Sequence, residues 1–202
     1  MTPETEAQIR HVRKFGGYGH SLSTLAAVLL VIYFVVWEWS IASGALSHAF
    51  KVGLGAYSVM GDELTTIQLK VWTLVVVATG CAILFAVAFH LRRLFGLLAA
   101  GLIYTRENVR TLRRVGILAL AMAVLQLVLP MISFALVETG FIDRTLVTFT
   151  EPGSREIFLL GPPSLSGFVM AALVLLASWI MDVGRQTADD ADTMRREADL
   201  VI

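Results

Sequence analysis

Catalysis and metal binding need reactive groups that converge, and this 202-residue chain offers few. Its histidines, His11, His20, His48 and His90, fall in different segments and lack the short ligand spacings of a metal site. Ser21-Leu-Ser23 and Ser164-Leu-Ser166 read as helix starts, with no paired base to make either serine a nucleophile. Cys81 stands in the middle of an apolar run and reads as buried filler. The expectation is therefore no catalytic residue, no cofactor and no metal. Two polar features remain. Thr79 and Gln126 lie at similar depth in separate apolar runs, where a glutamine either lines a transport path or bonds a neighbouring helix; Thr79 is its expected partner. No acid or base lies as deep, which argues against ion-coupled transport. The second feature is a basic island from Gly101 to Gly116. In it Thr105, Glu107 and Asn108 form a helix-start pattern, and Arg110, Arg113 and Arg114 lie on or near one helical face. Asn108 is expected to lock the preceding turn by a hydrogen bond. The arginines and the Glu107-Asn108 edge could dock anionic lipid headgroups, at about 1 kcal/mol per charge, or a protein partner.

The elements that must hold these residues follow from composition. A hydrophobic fraction of 56%, 16% charged residues and a mean hydropathy of +0.74 predict a polytopic membrane protein. Residues 1–20 read as a polar, glycine-broken arm. Four apolar runs, 21–43, 71–90, 116–137 and 165–181, are each read as a span, at about 1.5 Å rise per residue against a core of about 30 Å. The first run could alternatively be a signal peptide, but its length and the Trp37-Glu38-Trp39 edge favour a retained helix.

Leu94 to Leu102 is short and glycine-interrupted, so it is expected to lie at the membrane surface. Thr105 then starts an amphipathic helix that feeds the third span, which tolerates Pro130 if its polar face points inward. Strand formers at 145–150 and 156–160, separated by Glu151-Pro-Gly-Ser-Arg155, predict a small external hairpin. The tail, 182–202, reads as an acidic helix with a narrow apolar stripe. Gly167 and Ala171 offer a small-residue packing face, and a homo-oligomer is compatible with it.

Lys and Arg are equal in number to Asp and Glu, so no basic face calls for direct nucleic-acid binding, yet they are distributed unevenly. The arm, the hinge at 91–115 and the tail together carry 12 Lys and Arg, against 4 in the two other connections. The positive-inside rule then puts both termini in the cytoplasm. The acidic tail is expected to pack near the basic hinge.

Leu94-Phe95 and the run from Gly101 through Tyr104, Thr105, Glu107, Asn108 and Leu112 to Gly116 resemble the signature of an uncharacterised bacterial membrane family, domain of unknown function 2975. Gly184 and the Asp199-Leu-Val-Ile202 ending are similar to its tail. The resemblance implies a bacterial inner-membrane, multi-pass protein and no established activity. It also implies association with small helix-turn-helix regulators encoded alongside such proteins. The expected protein is an all-α, four-helix membrane bundle with N-in/C-in topology and cytoplasmic amphipathic helices. Its expected role is a non-enzymatic scaffold or sensor that contacts membrane lipids and a cytoplasmic partner such as a transcriptional regulator. The alternative is a small transport or accessory component holding lipid or an apolar ligand in the bundle.

Overall fold

The computed structural model describes residues 3–43, 51–53, 57–60, 66–102, 105–149 and 165–200. Four long helices carry nearly all of this backbone: α1 (Pro3–Ser43), α2 (Ile67–Ala99), α3 (Arg106–Glu138) and α4 (Leu165–Leu200). Each contains a segment long and apolar enough to cross a membrane, which makes the chain a multi-pass membrane protein. Large apolar side chains stand exposed along all four, among them Val35, Phe89, Leu127 and Leu173. In the apolar window of α1 only 6% of residues are buried within the chain. A membrane interior, rather than water, therefore suits these faces.

The helices run further than their apolar stretches. The arm does not break at its glycines: α1 begins at Pro3 and continues through Gly16, Gly17 and Gly19. Likewise Leu94 to Ala99 does not lie separately on a surface but continues α2, with Leu94 buried. Once a turn exists, each added residue gains a hydrogen bond at little further ordering cost, so polar flanks extend an apolar helix readily. Pro130 is accommodated inside α3 without ending it.

Three short strands, β1 (Lys51–Gly53), β2 (Tyr57–Met60) and β3 (Thr148–Phe149), form an antiparallel sheet in that order. Thr148 pairs with Ser58 and Phe149 with Tyr57. The second limb of the expected hairpin, 156–160, lies outside the described residues.

The chain divides into two compact units. The first comprises Met1–Ala26, Val87–Ala119 and Val169–Ile202. Here α1 and α2 approach so closely that a Cβ on Gly16 would meet the Ala99 Cα at 2.9 Å. His20 Nδ1 lies 3.1 Å from the Arg92 carbonyl oxygen and donates to it. On the other side α4 packs on α3, with the Ser178 hydroxyl donating to the Val109 carbonyl at 3.2 Å.

The second unit comprises Ala27–Ala86 and Leu120–Phe168. Its core joins Trp37, Leu69, Val77, Cys81, Val137, Ile142 and Val147, with Trp72 packed against it. Cys81 is thus core filler, as its setting in the sequence implied. After α3, Asp143 caps a short 3₁₀ turn (Arg144–Leu146) by accepting from the Thr145 amide at 2.9 Å and its hydroxyl at 2.8 Å. These two bonds hold the Asp143 carboxyl below the usual carboxylate range.

Candidate functional site

The connection between α2 and α3 is built from helix-end chemistry. After Ala99 the chain reaches Gly101 with φ of 81°, a left-handed conformation that glycine adopts without steric cost. The Gly101 amide then donates to the Leu98 carbonyl at 2.9 Å and the Leu102 amide to the Leu97 carbonyl at 3.0 Å, the paired bonds of a Schellman ending. A Cβ at Gly101 would also meet the Arg13 guanidinium of α1, Nε lying 3.0 Å away.

Four residues later α3 starts. Thr105 Oγ1 accepts from the Asn108 amide at 3.2 Å, and the Thr105 carbonyl accepts from Val109, so Thr105 is the N-cap. Asn108 is fully buried, and its Nδ2 donates to the Leu102 carbonyl. That bond ties the first turn of α3 to the residue that closes α2. The hinge is therefore locked at both ends by residues of one short sequence, Gly101 to Asn108.

The lock fixes a cleft beside it. Arg93 from α2 and Arg106, Glu107, Arg110, Thr111 and Arg114 from α3 wall a space of about 420 Å³. Arg93 Nε donates to Glu107 Oε1 at 2.7 Å, spanning the two helices. Arg106, Arg110 and Arg114 repeat every four residues and so share one face of α3. The cleft carries four guanidiniums against one carboxylate. It holds no nucleophile paired with a base; its chemistry is that of anion recognition.

Set against the sequence, the site resolves into roles. Thr105 and Asn108 are structural. Glu107, Arg110 and Arg114 face the cleft, whereas Arg113 is exposed and is not part of its wall. Arg93, Arg106 and Thr111 were not singled out from the sequence. The four-residue step from Arg106 was legible there, but the approach of Arg93 required α2 to continue past its apolar run.

Thr79 spends its hydroxyl donor on its own helix, on the Val75 carbonyl one turn back at 2.7 Å, and stands on an exposed face. A threonine in a helix satisfies its own donor this way without needing a second helix. Gln126 is half-buried. The tail and the hinge, expected to pack near one another, fall in the same compact unit, but among the described residues no salt bridge joins them. Arg185 instead meets Asp182 at 3.2 Å and Asp189 at 2.7 Å on its own helix.

In the second unit an apolar groove of about 220 Å³ lies between α1 and α2, walled by Leu30, Val31, Phe34, Ala78, Cys81 and Phe85. Among the described residues no group of three or more His, Cys, Asp or Glu is placed to hold a metal ion.

No curated protein and no solved structure matches the chain. A family model described as protein of unknown function, DUF2975, matches residues 56–202. That match takes in α2, the locked hinge with its arginine cleft, α3 and α4, and on it the chain belongs to the DUF2975 family.

Proposed function

We propose that this is a non-enzymatic protein of the bacterial inner membrane, a four-helix bundle with both termini in the cytoplasm. In this reading it acts as a scaffold or sensor whose cytoplasmic face docks a protein partner. The observation that carries the reading is the hinge itself: the Asn108 side chain and the Thr105 cap fix the backbone turns that carry a set of exposed arginines. Rigid presentation of charge without a reacting group is what recognition needs and what catalysis cannot use alone. Beyond Met181 α4 continues as polar turns of net negative charge in the same compact unit. The uneven Lys and Arg count supports the cytoplasmic assignment, and the sheet of β1 to β3 would then form a small external cap. The resemblance to proteins encoded beside helix-turn-helix regulators makes such a regulator the leading partner.

The test is affinity purification of the full chain in native lipid, with identification of bound protein. A DNA-binding protein that co-purifies with the intact chain, and is lost when residues 182–202 are removed or Arg106 and Arg110 are changed to Glu, is the expected result. Recovery unaffected by both changes would reject the docking role. A second reading, a transport or accessory component holding lipid or an apolar ligand, is favoured by the groove lined by Phe34, Cys81 and Phe85. Ordered ligand density there in the purified protein, without a protein partner, would support it.

A further inference from the structure

Arg106, Arg110 and Arg114 stand one above another on a single face of α3. Like charges at this spacing repel, and Arg106 lies in the first turn of the helix, where free backbone N–H groups already make the end positive. Relief from within the chain is slight. Glu107 is the one carboxylate in the cleft wall, and Arg93 engages it. Among the described residues the three α3 guanidiniums have no carboxylate partner. Such a cluster, carried on a backbone fixed by the Asn108 lock, is unfavourable until an anion with several oxygens enters it. Guanidinium forks match the paired oxygens of a phosphate.

What surrounds the cleft selects the kind of phosphate. Phe89 lies one turn before Arg93 on α2 and is 54% exposed; Ile117 lies one turn after Arg114 on α3 and is 52% exposed. The guanidiniums thus give way within a single turn, on both helices, to exposed apolar side chains. We propose that the cleft binds the phosphate of an anionic phospholipid, whose acyl chains run down past Phe89 and Ile117. This rests on the reading that the hinge lies at a membrane surface. A soluble phosphate compound would gain nothing from that apolar border, whereas a headgroup anchored by its chains is presented at this level already.

The experiment uses the full-length chain in mild detergent. Native mass spectrometry and thermal unfolding are recorded with phosphatidylglycerol, with zwitterionic phosphatidylcholine and with inorganic phosphate. Phosphatidylglycerol should remain bound and raise the melting temperature, with phosphatidylcholine and inorganic phosphate doing neither. Arg110→Gln with Arg114→Gln removes two charges and should weaken phosphatidylglycerol binding about thirtyfold. Arg113→Gln, outside the cleft wall, should leave it within about twofold. Equal retention of the two lipids by the unaltered protein overturns the proposal even if the double variant does not fold. So does wild-type lipid affinity in a folded double variant. Inorganic phosphate that stabilises as strongly as the lipid would overturn the lipid assignment. Absence of lipid selectivity in the unaltered protein, with partner co-purification intact, would reject this inference and leave the docking role standing.

Discussion

Asn108 decides more than any other residue. Its Nδ2 joins the end of α2 to the start of α3, and its amide completes the Thr105 cap. Replacing it with Ala removes a buried donor and leaves the Leu102 carbonyl short of a partner, a cost of about 1–3 kcal/mol. Thermal unfolding in detergent should fall accordingly, whereas Arg113→Ala, on an exposed side chain, should change stability by no more than about 0.5 kcal/mol. The Thr-x-Glu-Asn pattern announced this helix start because capping is local chemistry. The bond from Asn108 back to Leu102 was legible only as a general tendency, since its acceptor is positioned by the Gly101 turn. A second residue-scale expectation concerns Asp143. Its carboxyl is held below the ordinary range by Thr145, so this contribution is fully present above the unfolded carboxylate pKa and is lost as pH falls through the lower folded value. The protection of the Thr145 amide, with the intrinsic pH dependence of exchange divided out, should therefore fall on acidification through that window, and Asp143→Asn should abolish that fall.

At the scale of elements, the packing of α1 on α2 makes adjacent glycines behave in opposite ways. Gly16 faces the Ala99 backbone, where an added Cβ has no room, so Gly16→Ala should destabilise by about 1–3 kcal/mol through overpacking. Gly17 has nothing within 4 Å of the position a Cβ would take, and Gly17→Ala should stabilise the helix by up to about 1 kcal/mol. Chemical or thermal melts of the two variants check the pair, and equal effects would contradict the packing. In the sequence both residues read alike, as breaks in a polar arm. A glycine that interrupts a helix and a glycine that admits a neighbouring backbone are the same letter, and the difference exists only once α2 is in place. The length of α2 was missed for a related reason: Arg92 and Arg93 look like a stop, yet Leu94 beyond them is buried within the first unit.

For the molecule as a whole, orientation is the property most open to test. The charge count puts residues 58 and 152 outside the cytoplasm, and reporter fusions at those positions should behave as external; cytoplasmic behaviour would reverse the topology. By itself the sequence determined the membrane class, the four apolar helices, the cap at Thr105 and the distribution of charge. Those depend on composition, on periodicity and on neighbours within a few residues. Only the tertiary structure decided which polar residues meet. It brought Arg93 to Glu107 from another helix and Ser178 to the Val109 carbonyl, pairs that no spacing within one helix announces. It also drew the α3 arginines into one cleft with Arg93 while leaving Arg113 out of its wall. The physical reason is that charge and hydrogen-bonding capacity belong to a residue wherever it lies, whereas a partner is a matter of distance, and distance across helices is set by how the helices pack.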